Sequence, residues 1–302
     1  MFMLKWGVNM QKALEKYEEY LLEKNRGQAT IQAYLKDIEN FIKCFEFDNW
    51  AIIENKHIKE YVNLQLEKGK SPSTINRALI SITGISKFLK LDVEPSLYRV
   101  KEQNQDSLKD KLTINDFSKI LYYAEQAEDI RTVTLLKTLV LTGARISEAL
   151  QIEIADINKT KIKIKGKGSK YRDLLIPKAL KKQFKEYAAV RIQKGDSLFT
   201  GERGAINRQT AFNDIKKYAA MGKMKKSLAH PHAFRHLYAY LLKEQGVNVV
   251  DIKQLMGHSL SVTEHYMSSD QKKLLDVIDT IEKGIPKYTP VSKRSSTKSK
   301  KR

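Results

Sequence analysis

At 302 residues with 41% hydrophobic content, the chain is long enough for one large globular domain or two ordinary ones. No apolar run approaches the ~20 residues of a membrane span, the opening Met1–Trp6 lacks the apolar stretch of a secretory leader, and the single Cys44 excludes an intrachain disulfide or a cysteine-based zinc site. A formal charge of +20, from 55 Lys and Arg against 35 Asp and Glu, points to a polyanionic partner, of which nucleic acid is the usual one.

The first ninety residues read as helices. Leu14, Tyr17, Leu21 and neighbours make one apolar stripe, and Ile31, Tyr34, Leu35, Ile38, Phe41, Ile42 and Phe45 make a second. A third runs from Ile58 to Leu66, and Ser71-Pro72 opens a fourth that continues to Leu89. A four-helix bundle is expected over 10–92. Residues 93–110, charged and poor in apolar side chains, read as a linker. Helical periodicity resumes near Asn115 and includes a strongly apolar helix from Val133 to Leu141, ending at Thr142-Gly143-Ala144-Arg145. Alternation over 151–154, 161–165 and 172–176 predicts a small three-stranded antiparallel sheet, with Gly166-Lys167-Gly168 as the turn between the last two strands. Helices are expected over 178–193, 207–221, 231–245, 248–256 and 269–283, and the Lys/Ser/Thr-rich 286–302 reads as a disordered basic tail. The fold class is mainly α (α+β), with the second domain over 111–285.

Residues 230–236, His-Pro-His-Ala-Phe-Arg-His, open an apolar-periodic run, so His232 and Arg235 project from one face of a helix N-terminus, a setting that favours anions. Arg145 and Glu148 have the same spacing, and a braced guanidinium offers phosphate a fixed donor fork. Taken singly, each of these signals is weak. An Arg–Glu pair is usually a surface salt bridge, a Gly-Lys-Gly turn a solvated loop, and a lone Tyr266 half-buried packing. Three histidines could hold zinc, but their Arg and Lys neighbours argue for an anion rather than a cation.

In order, the set Arg145, Lys167, His232, Arg235, His258, Tyr266 resembles the catalytic constellation of the tyrosine recombinase (phage integrase) family, with a Xer-like length. The matching pieces are Thr-Gly-Ala-Arg-Ile-Ser-Glu-Ala-Leu, Gly-Lys-Gly-Ser-Lys-Tyr-Arg, Pro-His-Ala-Phe-Arg-His and Leu-Met-Gly-His-Ser, followed by Tyr266. The resemblance extends over the whole chain, with the N-terminal bundle similar to the family's core-binding domain and 111–285 to its catalytic domain. One departure stands out: His258 and Tyr266 lie one residue closer together than expected for Xer-like members.

The resemblance implies that Tyr266 attacks a DNA phosphate to form a 3′-phosphotyrosyl bond, while Arg145 and Arg235 clamp the phosphate. It makes Lys167 the general acid, His232 a general base and His258 a further phosphate ligand, with Glu148 and His236 in support. Lys70, Arg77, Lys170 and Arg172 are expected to touch DNA. It further implies double-stranded DNA with paired half-sites as substrate, assembly to dimers and tetramers, no metal or nucleotide cofactor, no membrane, and a cytoplasmic, nucleoid-associated location. A binding-only regulator or architectural protein of the same fold is the alternative, disfavoured because binding needs no positioned nucleophile.

Overall fold

A computed structural model describes residues 10–101, 111–166, 171–257 and 271–290. The chain divides into two compact units, residues 1–106 and 107–302. In the first unit, α1 (Met10–Glu23), α2 (Gln28–Phe45), α3 (Asn55–Glu67) and α4 (Pro72–Leu89) pack their apolar stripes together, with Ile31, Ile38, Phe41, Ile58, Ile75 and Leu79 at the centre. The α4 start is set locally: Ser71 accepts a hydrogen bond from Thr74 N–H, and Pro72 needs no N–H in the first turn. Asp37 is buried in this bundle and receives both Arg77 Nε (3.1 Å) and Nη2 (2.9 Å), along with the Ser81 hydroxyl (3.1 Å).

The first residues of the expected linker belong to this unit. Val93 is buried, Pro95–Tyr98 forms a 3₁₀ turn on α4, and the Asn76 side-chain amide bonds both the N–H and C=O of Val100 at 2.9 Å. Charge-rich composition concealed this because the polar anchors are side chains of other helices, Asn76 on α4 and Asn55 on α3, whose Oδ1 accepts from Glu94 N–H at 2.9 Å.

The second unit is built around α6 (Ile130–Thr142), which is apolar on nearly every face and buried. Its polar residues do not break the core, since Thr134, Thr138 and Thr142 return their hydroxyls to carbonyls one turn back at 2.6–2.7 Å. Around it pack α5 (Ile114–Gln126), α8 (Lys178–Val190), α9 (Arg208–Met221) and α10 (Pro231–Glu244). The short α7 (Ile146–Ala149) follows α6, and α11 (Val249–Leu255) follows α10. The last described helix, α12 (Gln271–Lys283), buries Leu274, Ile278 and Ile281 against α6, α8 and α10 of its own domain.

Strands β1 (Lys161–Lys165) and β2 (Tyr171–Leu175) form an antiparallel hairpin with Lys163 opposite Asp173. A second small pair joins β3 (Thr200–Gly201) to β4 (Gly204–Ala205). The expected third strand of the first sheet is absent among the described residues. Residues 151–154 instead pair by one bridge, Glu153 with Ser197, and Ile152 C=O accepts from Leu198 N–H. Their remaining groups are already committed: Gln151 N–H closes the turn after α7 onto Glu148 C=O, and Glu153 N–H is capped by Asp156.

The beginning of the expected disordered tail is also anchored. Tyr288 packs edge-on against Tyr122 (ring centroids 5.4 Å apart), with Lys119 over its face. None of the described helices is long and apolar enough to cross a membrane.

Candidate active site

Helix α6 ends at Gly143, whose φ of +59° turns the chain sharply toward Arg145. A side chain there would lie 2.3 Å from the Tyr238 ring, so the position demands glycine for both conformation and space. Arg145 then precedes α7 with extended backbone, and Glu148 in that helix reaches back to it. Glu148 Oε2 accepts from Arg145 N–H at 2.7 Å, while Oε1 accepts from Arg145 Nη1 at 2.8 Å.

Only 1% of the Glu148 side chain is exposed, and it also receives Arg172 Nη2 at 2.8 Å. Burial alone would raise its pKa, but the hydrogen bonds from Arg172 and the Arg145 backbone outweigh that, and the carboxyl is held below its ordinary 4.5. A buried carboxylate therefore fixes Arg145, whose side chain remains 30% exposed.

At the start of α10, His230 caps the helix by accepting from Ala233 N–H through Nδ1 (3.2 Å), and Pro231 occupies the first turn. Arg235, 4% exposed, donates Nη1 to Gly143 C=O at 2.6 Å and Nη2 to Met256 C=O. Burial, followed by the Arg145 and Arg172 cations, pulls its pKa down to about 10, so it remains a cation at neutral pH. His232 stays exposed. Its pKa is lowered first by partial burial and then by His230, His236, Arg145 and Arg235, which favours the neutral imidazole.

Arg145, His230, His232 and Arg235 share an open cleft of about 530 Å³ with Arg208, Gln209 and Phe212 of α9. No motif in the sequence marks these α9 residues. The available signal was an exposed arginine in the first turn of an Asn207-capped helix, where the dipole disfavours a cation unless it has an anion to meet.

The expected site residues thus divide into several groups. Arg145, Glu148, His232 and Arg235 come together, and His236 is exposed one position beyond Arg235. Arg172, expected on a DNA-facing surface, is only 12% exposed and is spent internally on Glu148 and on Leu255 C=O (2.7 Å). Lys70 and Arg77 lie in the first unit, both exposed, with Arg77 held by Asp37. Lys167, Lys170, His258 and Tyr266 lie outside the described residues.

Two arginines held by buried oxygens, beside an imidazole whose neutral form is favoured, make a cleft that suits an anion better than a cation. In a chain of net charge +20, a helical fold with such a cleft fits the class of proteins that meet phosphate-bearing partners. Residues 110–273 match the phage integrase family and residues 14–92 the phage integrase N-terminal SAM-like domain. The chain belongs to the phage integrase family.

A tyrosine recombinase XerC of Thermodesulfovibrio yellowstonii is 30% identical over 285 residues, covering 85% of this chain and 91% of the relative. A tyrosine recombinase of Pseudothermotoga lettingae is 27% identical over 286 residues, covering 90% and 99%. Among solved structures, a lambda integrase dimer bound to a COC′ core site aligns with a TM-score of 0.66 at 18% identity, covering 87% of this chain and 98% of that one. The post-cleavage complex of XerH with a palindromic difH substrate aligns at 0.63 and 22% identity, covering 89% and 84%.

Proposed function

We propose that this chain is a site-specific DNA recombinase that cuts and rejoins strands through a covalent 3′-phosphotyrosyl intermediate. The observation that carries the reading is the convergence of Arg145 and Arg235 with His232 on one cleft, both guanidiniums held in place by buried acceptors. Tyr266 is the nucleophile: its oxygen bonds to phosphorus as the bond from phosphorus to the 5′-oxygen breaks. A tyrosine pKa of ~10 keeps the phenol protonated at neutral pH, so a base is needed. His232, kept neutral, takes that proton. Lys167 protonates the departing 5′-oxygen, and Arg145 and Arg235 meet the charge on the non-bridging oxygens, with His258 as a further ligand. The phosphotyrosyl bond conserves the energy of the broken phosphodiester. A 5′-hydroxyl from a second strand can therefore reverse the reaction without nucleotide or metal.

The substrate is double-stranded DNA with paired half-sites, bound by dimers and exchanged in tetramers in the cytoplasm. Solved relatives include a lambda integrase tetramer bound to a Holliday junction, which supports the assembly. Lys70, Arg77, Lys170 and Arg208 would hold the DNA backbone, and their phosphate contacts make binding salt-dependent.

The test is covalent capture. The full chain is incubated with a library of nicked duplexes of randomised sequence, and DNA that stays bound in detergent is recovered. A tyrosine-linked 3′ adduct is expected with wild type and none with Tyr266→Phe. Absence of any adduct sinks the recombinase reading, and an adduct that survives Tyr266→Phe sinks the nucleophile.

A further inference from the structure

The end of β1 is held from outside its sheet. Lys165 closes the strand opposite Tyr171, yet both of its main-chain groups bond elsewhere. Its N–H donates to Gln151 Oε1 at 3.0 Å, and its C=O accepts from Gln151 Nε2 at 3.0 Å. In an antiparallel pair both groups of one residue point to the same edge, so these face away from β2. The same Nε2 also donates to Ser147 C=O in α7 at 2.8 Å. One side-chain amide thus stands in for a neighbouring strand and ties the hairpin to the helix that carries Glu148 and follows Arg145.

A two-stranded hairpin has little stability of its own, and an open edge leaves its end free to fray. The clamp falls at the last pair of the described strands, and Lys167 is two positions further along the sequence. The Gln151 side chain is exposed, so its truncation opens no cavity in the core.

We propose that Gln151 is a positioning residue for the general acid: by clamping the end of β1 to α7, it fixes the frame from which Lys167 reaches the leaving 5′-oxygen. The inference rests on the reading of Lys167 given under the proposed function. Proton transfer demands close placement, and a misplacement of about 1 Å can cost about a hundredfold in rate.

The experiment uses the full chain and the duplex that wild type captures covalently, made in two versions. One carries the natural 5′-oxygen at the scissile phosphate, the other a 5′-sulfur. In the second, the bond from tyrosine oxygen to phosphorus forms as the bond from phosphorus to sulfur breaks. Sulfur leaves as a thiolate without a proton, because a thiol pKa of about 8.5 lies far below that of an alcohol.

Gln151→Ala is expected to slow adduct formation about ten- to a hundredfold on the oxygen duplex, and to return to within about twofold of wild type on the sulfur duplex. Lys167→Ala is expected to follow the same pattern with a deeper loss on oxygen. Equal loss for Gln151→Ala on both duplexes would mean that the residue serves folding or binding, and overturns the inference, as does no loss on oxygen. Equal loss for Lys167→Ala on both overturns the assignment of the acid, and the inference with it, while the recombinase reading stands. A wild type that forms no adduct on either duplex overturns the recombinase reading itself.

Discussion

Arg172 and Arg235, from β2 and α10, grip neighbouring carbonyls at the end of α11: Arg172 Nη1 holds Leu255 and Arg235 Nη2 holds Met256. The next residue, Gly257, has a φ of +64°, and a Cβ there would lie 2.4 Å from Arg172 Cδ. Because Arg172 also bonds Glu148, and Glu148 bonds Arg145, one network joins Arg145 in the cleft to the turn that precedes His258 in sequence.

That network predicts a large stability cost for Arg172→Met. The substitution keeps most of the volume but removes one partner of a buried carboxylate and the donor to Leu255. Removing one side of a buried ion pair costs about 3–5 kcal/mol, and the lower end is expected because Arg145 still holds Glu148. Urea unfolding followed by circular dichroism measures it. A loss below about 1 kcal/mol would mean that Arg145 alone satisfies the carboxylate.

Glu148 gives the site a defined acid sensitivity. Its folded-state pKa lies below the ordinary 4.5, so its contribution is fully present above that value and is lost as pH falls through the folded pKa. Wild-type stability should therefore drop below pH 4.5, over a window in which Glu148→Gln, lacking the titrating group, falls less steeply. Thermal melts of both proteins across that range check the point. Parallel curves would show that other carboxylates carry the acid response.

The parts of this molecule legible in its sequence are those fixed by local spacing. Apolar stripes at helical period marked the bundle and the buried α6, and Arg145 and Glu148 could be paired because they are three apart on one turn. Alternation located β1 and β2. It misplaced residues 151–154, because alternation records an extended, half-buried segment and does not name its partner, which proved to be 196–198. Arg172 looked like another basic surface residue because its partners lie 24 and 83 positions away. Tyr288 sat in a polar tail with no periodicity to show that it packs edge-on against Tyr122 of α5. Side chains that reach across the fold leave no local trace.

Two glycines offer a controlled comparison of conformation and space. Gly143 and Gly246 both have positive φ, +59° and +75°, but a Cβ at Gly246 meets nothing within 4 Å, whereas at Gly143 it meets the Tyr238 ring at 2.3 Å. Gly246→Ala should cost only backbone strain, about 1–2 kcal/mol. Gly143→Ala adds overpacking of about 1–3 kcal/mol to a similar strain. It also disturbs the carbonyl that receives Arg235, so adduct formation should fall with it. Equal costs for the two variants in chemical denaturation would mean that Tyr238 moves aside freely.

His232 sets the last expectation, the acid limb of the pH–rate profile. A general base works in its neutral form, and partial burial, followed by the neighbouring His230, His236, Arg145 and Arg235, lowers the His232 pKa below its ordinary 6.5. The rate of covalent adduct formation should therefore rise with pH below 6.5 and already be level at neutrality. His236→Gln removes one of the influences that lower the His232 pKa, and His236 does not itself line the cleft, so the midpoint should move up toward 6.5 while the plateau changes little. His232→Asn should lower the plateau about a hundredfold, the usual scale of a lost acid–base group, and abolish this limb of the profile. If the limb persists unchanged in His232→Asn, the base is another residue, and the lowered pKa of His232 reflects only its crowded, cationic surroundings.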